Sequence, residues 1–177
     1  MTYKEATTYL FDSVPMFQNV GGTAYKEGLS NTLLLDEHFG HPHRKFRTIH
    51  VGGTNGKGST AAMLDSVLRA AGYRSGLYTS PYITCFNERM QVNGEMISDG
   101  ELAEITEQVR PHAEAMDDHP TEFELVTAIA MVYFARHACD IVVLEVGLGG
   151  ELDSTNVIDT PEVAVICNIG YDHTEVL

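Results

Sequence analysis

The sequence predicts an α/β fold with a mostly parallel sheet flanked by helices. Two observations indicate the strands: the runs 140–145 and 162–167 are short, apolar and bounded by polar residues or glycine. A third observation is a glycine-rich turn that joins another strand-like run, 48–51, to a segment of helical periodicity. Strands that alternate with helices along a chain form parallel sheets whose two faces are covered by helices.

The first predicted elements are helices. A helix-like segment runs through Phe11, a passage rich in Gly, Pro and Asn follows, and a second helix is predicted over 32–39. Gly40 and Pro42 end that second helix. The run 48–51 then has the length and apolar character of a buried strand.

A helical period begins at Lys57 and ends at Gly72, a residue type that commonly follows a helix C-terminus. Four apolar residues recur at the spacing of one helix face: Leu64, Val67, Leu68 and Ala71. A strand is predicted over 76–80, before Pro81. Segments 89–92 and 95–97 flank Asn93-Gly94, which suits the tight turn of a hairpin.

Two capping boxes predict the next helices. Ser98 with Glu101 begins a helix that runs towards Met116, and Thr121 with Glu124 begins one that ends near His137. The buried-strand signals 140–145 and 162–167 follow. The chain ends a few residues after the second of these strands, and a parallel strand needs a crossover to cover it, so we expect a piece of a longer protein.

Composition excludes several classes of protein. The chain has 177 residues, with 11 Lys and Arg against 25 Asp and Glu, which gives a formal net charge of −14. Such acidity argues against non-specific binding of nucleic acid or membrane surfaces, since both are polyanionic. No apolar run is long enough to cross a bilayer and no signal peptide is present at the N-terminus, so a cytoplasmic location is expected. The widely spaced Cys85, Cys139 and Cys167 are interpreted as free thiols.

The segment 51–60 indicates a phosphate-binding loop. Its glycines let successive backbone N–H groups face inward, the helix N-terminus adds partial positive charge, and Lys57 supplies a full charge to the outer phosphates. Two departures separate it from the general pattern G-x-x-x-x-G-K-[ST]: the first position is Val51, and Gly58 follows the lysine. The residues expected to hold the nucleotide are Gly53, Thr54, Asn55, Gly56, Lys57, Gly58, Ser59 and Thr60.

The loop 53–59 resembles that of the folylpolyglutamate synthase/dihydrofolate synthase family, a branch of the Mur ligase superfamily, which carries the inserted glycine. Further motifs resemble the family in the same order along the chain: Tyr78-Thr-Ser-Pro81, Phe86-Asn-Glu-Arg89, Thr121-Glu-Phe-Glu124, Leu144-Glu-Val-Gly-Leu-Gly-Gly150, Leu152-Asp-Ser-Thr-Asn156 and Asn168-Ile-Gly-Tyr-Asp-His173. The resemblance implies a P-loop nucleotide-binding domain of the Mur ligase central type at 47–177, incomplete at its C-terminus. It implies a helical and loop segment at 1–46 packed on that domain, and a C-terminal glutamate-binding domain outside this sequence.

Glu145 is the strongest candidate metal ligand. It ends an apolar strand, where a buried unpaired carboxylate is costly and a hard cation would remove the cost; the alternative is an ion pair at the strand end. The resemblance implies that Ser80 and His173 also hold Mg²⁺, and that Lys57, Glu145 and His173 act in catalysis. We expect no metal role for His41 and His43, which lie in a polar loop.

The resemblance also implies a pterin pocket. The residues that it assigns to substrate binding are Tyr82, Thr121, Glu122, Phe123, Glu124, Leu152, Asp153 and Ser154. For Thr121 and Glu124 a structural role in the capping box is a strong alternative, and one residue can serve both uses. The polar run 87–89 is either part of a mobile loop over the substrate or a solvated cluster.

The implied activity is ATP-dependent addition of L-glutamate to a folate or dihydropteroate carboxylate through an acyl phosphate, with ATP and Mg²⁺ as cofactors. The implied partners are these small molecules only, the expected state is a monomer, and the 177 residues alone are expected to be inactive. Two alternatives stay open: another Mur-type amino-acid ligase, and a non-catalytic nucleotide-binding module.

Overall fold

A computed structural model describes residues 1–12 and 28–173. Within these residues the helices are α1 (Tyr3–Asp12), α2 (Ser30–His38), α3 (Lys57–Ala70), α4 (Asp99–Glu114) and α5 (Glu122–Arg136). The strands are β1 (Arg47–Gly52), β2 (Ser75–Tyr78), β3 (Met90–Val92), β4 (Glu95–Met96), β5 (Ile141–Glu145) and β6 (Val163–Ile166). The Gly/Pro/Asn-rich passage after Phe11 lies mostly outside the described residues.

The strands of the described residues form one sheet in the order β4-β3-β2-β5-β1-β6. Strands β2, β5, β1 and β6 are parallel, and the hairpin β3–β4 adds an antiparallel edge beside β2. The mostly parallel α/β sheet predicted from the sequence is therefore confirmed. Asn93 and Gly94 both have positive φ, as the predicted tight turn requires.

Register places the carboxyl ends of the parallel strands at one edge of the sheet. Val51 pairs with Glu145, and Gly52 pairs with Ile166. The phosphate loop, the end of β5 and the turn after β6 consequently share that edge, where ligands of open α/β sheets bind.

Helices cover the sheet on two faces. Helix α3 packs against Ile49, Leu77 and Val143 on one face. The other face carries the larger core, which is built around the almost fully apolar and buried α5. Helices α1 and α2 pack against α4 and α5 on that same side, so the N-terminal helices and the sheet share one core.

Two burial predictions are wrong in detail. Val67 is 66% exposed, because the buried stripe of α3 is centred on Ala61 and Asp65 and Val67 projects from nearly the opposite side of the helix. Strand β6 forms as predicted but is not buried: Ile166 is 70% exposed. Within the sheet of the described residues it is an edge strand that pairs only with β1.

Both predicted helix N-caps form, and the reciprocal capping box is complete at Thr121 and Glu124. Ser98 Oγ accepts from the backbone N–H of Glu101, and Thr121 Oγ1 accepts from that of Glu124. Cys85, Cys139 and Cys167 are free thiols, and burial raises the pKa of Cys139 to about 11. In the described part of the chain, no helix has the length and apolar character needed to cross a membrane.

Candidate active site

The phosphate loop lies between β1 and α3 and takes its shape from two glycines with positive φ. Gly53 has φ +128° and Gly56, the residue before α3, has φ +84°. No side chain caps α3. Its N-terminus therefore offers backbone N–H groups to an anion, together with the positive end of the helix dipole.

The turn after β6 braces this loop from the other side. Asn168 accepts from Thr54 N through its backbone oxygen at 2.8 Å, and from Asn55 N through its side-chain oxygen at 2.9 Å. Gly170 N donates to Thr54 Oγ1 at 2.9 Å. A β-carbon on Gly53 would lie 2.8 Å from the oxygen of Asn168, so the loop and this turn can pack together only with glycine at 53. The sequence motif that contains Asn168 gave no indication of this bracing role.

Lys57 is the first residue of α3, and its side chain lies along the loop. Its Nζ donates to the backbone oxygens of Gly53 at 2.8 Å and of Thr54 at 3.3 Å. These bonds hold the ammonium group over the loop interior, next to the amide groups that would cradle phosphate.

Glu145 lies directly beside the loop, at the end of β5. Its carboxylate is 4% exposed and accepts from Ser80 N at 3.0 Å. A β-carbon on Gly58 would be 3.3 Å from Oε2, so the second residue of α3 has to be small. Burial raises the pKa of Glu145, against the opposing effects of the Ser80 and Gly58 amides and of the charge on Lys57.

The structure thus brings together Lys57, Ser80 and Glu145, which the sequence placed on three different elements. His173 lies on the same side of the sheet, in the wall of a cavity of about 610 Å³ that Lys57 also lines. The rest of that wall comes from His50, 52–54, the glycine-rich turn 146–151, Asn156, β6 and 169–172. Their roles in metal binding and catalysis stay predictions.

The residues assigned to substrate binding fall into two groups. Tyr82 and Leu152 are about two-fifths exposed, at 40% and 42%. The others are buried or half-buried: Thr121, Glu122, Phe123, Glu124, Asp153 and Ser154. None of these residues lines the 610 Å³ cavity.

A buried ion pair joins the loop after β2 to the start of α5. Arg89 Nη1 donates to Glu122 Oε1 at 2.6 Å, and the guanidinium lies over the rings of Tyr78, Phe86 and Phe123 at 5.5 to 5.7 Å. Arg89 is 5% exposed. Burial acts to lower its pKa, but the neighbouring Tyr78 and Glu122 outweigh burial and raise it. The interpretation of 87–89 as a solvated cluster is therefore wrong for Arg89.

The rest of the 82–89 loop is also held by defined contacts. The Glu88 carboxylate accepts from the backbone N–H groups of Ile83, Thr84 and Cys85. Asn87 is buried and accepts from Tyr3 Oη at 2.9 Å, which ties α1 to this loop.

Asp153 organises the glycine-rich turn after β5. Its carboxylate accepts from Leu148 N at 2.8 Å and from both the backbone and the hydroxyl of Thr155. His50 of β1 contacts the same hydroxyl through Nε2 at 2.7 Å, and burial lowers the pKa of His50. A β-carbon on Gly147 would lie 2.5 Å from the ring of Phe123, so this turn rests on α5. His50 was not identified from the sequence because it has no ligand-like spacing to another histidine.

Comparison with known proteins identifies the family. The model of the Mur ligase middle domain matches residues 51–177. A dihydrofolate synthase/folylpolyglutamate synthase from Bacillus subtilis is 51% identical over 157 residues, which are 86% of this chain and 36% of the relative.

Two solved structures are similar over almost the whole chain. A complex of FPGS with AMPPCP and folate has a TM-score of 0.88 and 39% identity, covering 100% of this chain and 42% of that one. FolC of E. coli in complex with DHPP and ADP has a TM-score of 0.84 and 34% identity, and the match covers 99% of this chain and 40% of that one. This chain spans about two-fifths of the length of these proteins. It belongs to the Mur ligase family, and its relatives in that family are folylpolyglutamate and dihydrofolate synthases.

Proposed function

We propose that the complete protein is an ATP-dependent ligase that joins L-glutamate to the carboxylate of a folate or dihydropteroate. The named activity of the Bacillus relative supports this proposal, as do the AMPPCP, folate, DHPP and ADP bound to the two solved relatives. The observation in this chain that carries it is the meeting of Lys57, Ser80 and Glu145 at the N-terminus of α3.

In this proposal the loop 53–60 binds the triphosphate of ATP. The backbone N–H groups at the uncapped start of α3 and the ammonium group of Lys57 neutralise phosphate charge. Gly53 and Gly56 adopt the positive φ values that shape this loop, and Gly53 also lets it pack against Asn168. Ser59 and Thr60 add hydroxyl groups in the first turn of α3.

The residues around Glu145 fit Mg²⁺. The buried carboxylate accepts a hydrogen bond from the backbone of Ser80, whose hydroxyl is a second hard oxygen donor of the kind that Mg²⁺ prefers. Burial disfavours the ionised form of Glu145, and a bound cation would reverse this preference. Ser80 and Glu145 would hold the ion, with His173 at the cavity wall as a further ligand. When bound, Mg²⁺ neutralises charge on the transferred phosphoryl group.

The proposed reaction has two steps. An oxygen of the substrate carboxylate attacks the γ-phosphorus of ATP, the bond to the β,γ-bridging oxygen breaks, and ADP leaves. The amine of L-glutamate then attacks the carbonyl carbon of the acyl phosphate, loses a proton and expels phosphate, which leaves an amide. The chain's own contribution is to position the γ-phosphate and to stabilise its charge, as phosphoryl transfer requires.

The pterin ring is proposed to bind over the contact between α5 and the turn 147–153. Phe123 and Gly147 meet there, and Asp153 fixes the turn. The exposed Tyr82 lies on the loop held by Glu88 and could cover the ring from that side. In this arrangement Thr121, Glu122 and Glu124 shape the pocket by positioning α5.

The test is ATP-dependent incorporation of labelled glutamate by the complete protein, with dihydropteroate and tetrahydrofolate as alternative acceptors. Lys57→Ala should lower kcat/KM by about 100-fold or more, because it removes a charge aimed at the transferred phosphate. Lys45→Ala, which truncates an exposed lysine outside the site, is the matched control and should leave the rate unchanged.

Two results would overturn the proposal: no incorporation with either acceptor, or a Lys57→Ala rate close to wild type. The acceptor that supports turnover decides between dihydrofolate synthase and folylpolyglutamate synthase activity. The 177-residue chain alone should not turn over, since the relatives are more than twice its length. Its monomeric state stays a prediction.

A further inference from the structure

A second group of possible metal ligands lies between α2 and β1. The carboxylate of Asp36, from the last turn of α2, contacts two imidazoles that follow it in the chain. His41 Nδ1 lies 2.6 Å from Oδ2, and His43 Nδ1 lies 2.6 Å from Oδ1. One ligand atom from each of the three residues lies within 4.8 Å of the others.

Burial makes this group unusual. Asp36 is 6% exposed and His43 is 5% exposed, whereas the side chain of His41 is 37% exposed and opens the group to solvent. No lysine or arginine among residues 1–12 and 28–173 forms an ion pair with Asp36. A buried carboxylate without a cationic partner is costly, and a metal ion is one way to remove that cost.

Donor and acceptor chemistry leaves two acceptors facing each other on the other side of His43. An ionised carboxylate only accepts hydrogen bonds, so each Nδ1 that contacts Asp36 has to carry the proton. Neutral His43 then has a bare Nε2. This atom is buried, has no hydrogen-bond partner in the described part of the chain, and lies 3.7 Å from Asp159 Oδ2, which is also an acceptor.

We propose that Asp36, His41 and His43 bind a divalent transition-metal ion of the Zn²⁺ type through one carboxylate oxygen and the two Nδ1 atoms. Each Nδ1 proton moves through solvent to the Nε2 of the same ring, so the imidazoles stay neutral. His43 Nε2 then carries a proton and faces the acceptor Asp159 Oδ2 at 3.7 Å, so that two acceptors no longer face each other. Imidazoles that bind metal commonly donate their second N–H to a carboxylate in this way.

The donor set selects the class of metal. Two imidazole nitrogens and one carboxylate oxygen suit Zn²⁺, and they leave a fourth position for water on the exposed side of His41. Mg²⁺ prefers oxygen ligands, so this site is chemically different from the one proposed at Glu145. Bound Zn²⁺ would fasten the end of α2 to the segment before β1 and thereby stabilise the fold.

The test uses the complete protein, treated with a chelator, dialysed and titrated with Zn²⁺ by calorimetry. We expect one equivalent to bind at this site and the unfolding midpoint to rise. The doubly substituted H41A/H43A variant and Asp36→Asn should each weaken affinity by at least about 100-fold, since direct ligands contribute more than outer partners. Asp159→Asn should weaken binding by about 10-fold or more without abolishing it.

His112→Ala is the matched control, because His112 stacks on His38 and is not one of the three clustered ligands. It should leave Zn²⁺ affinity and the Zn²⁺-dependent midpoint unchanged. Binding that survives in H41A/H43A, binding that His112→Ala removes, or no Zn²⁺ binding by the wild type would each overturn the proposal. Circular dichroism of each variant without metal shows that it is folded, so that loss of binding is not loss of structure.

Discussion

At the scale of single residues, Gly53 decides how closely the phosphate loop approaches the turn after β6. Its φ of +128° is outside the range that other residues adopt without strain, and a β-carbon would lie 2.8 Å from the backbone oxygen of Asn168. Backbone atoms cannot move aside as a flexible side chain can. The glycine is required here for space as well as for conformation.

Gly53→Ala should lower the free energy of unfolding by about 1–3 kcal/mol and weaken ATP binding, because the loop and the turn have to separate. Chemical denaturation and nucleotide titration measure the two effects. The matched control is Gly100→Ala in the first turn of α4, where a β-carbon meets no atom within 4 Å. That control should be neutral or stabilising by up to about 1 kcal/mol, and an equal loss in both variants would contradict this account of the loop.

The carboxylate of Glu145 predicts a pH dependence of stability. Burial raises its pKa above the ordinary value of 4.5, so the folded state binds more protons than the unfolded state between these two values. The contribution of Glu145 to the free energy of unfolding therefore falls as the pH rises above 4.5, and it is constant at lower pH.

Glu145→Gln should remove this dependence. The measured quantity is the free energy of unfolding of the wild type minus that of the variant, without nucleotide, from acidic to neutral pH. The difference should decrease as the pH rises and should level off at high pH once the folded carboxyl is ionised. A difference that grows with pH would show that the carboxylate is stabilised, not strained, by its surroundings.

At the scale of elements, the loop after β2 is joined to α5 by the pair of Arg89 and Glu122. Both side chains are buried, and three aromatic rings surround the guanidinium. A buried pair costs desolvation, but loss of one partner alone is worse, since the remaining charge has no counterion. The pair thus fixes the position of the loop that carries Tyr82.

Arg89→Met should lower the free energy of unfolding by about 3–5 kcal/mol. The double variant R89M/E122L should lose less than the sum of the single variants, because no buried charge is left unpaired. Glu114→Gln, which removes an exposed partner of Arg110 on α4, is the control and should cost about 0.5 kcal/mol or less. Additive single effects in the double variant would show that the two side chains are not coupled.

At the scale of the whole molecule, the N-terminal helices belong to the main core. Leu10 of α1 is fully buried and Leu35 of α2 is 1% exposed, and both lie in the cluster that contains α4 and α5. The N-terminal amino group of Met1 also donates a hydrogen bond to Glu107, and the hydroxyl of Tyr3 donates one to Asn87. The two N-terminal helices and the sheet are therefore expected to unfold together.

Leu10→Ala should lower the free energy of unfolding by about 2–5 kcal/mol, because it leaves a cavity in the shared core. Leu34→Ala, at a position of α2 that is 56% exposed, should change it by about 0.5 kcal/mol or less. If α1 were a separate unit, Leu10→Ala would produce an early transition that leaves the main unfolding step unchanged.

The sequence alone determined the element order, the helix N-caps, the Asn-Gly turn and the position of the phosphate loop, since periodicity, caps and glycines act over a few residues. The tertiary structure decided which of these elements meet. Burial of Arg89, exposure of β6 and the bracing of the loop by Asn168 each depend on residues from separate elements or turns. No residue spacing along a single sequence indicates contacts of this kind. Burial and charge pairing depend on the three-dimensional neighbours of a side chain and not on its neighbours along the chain.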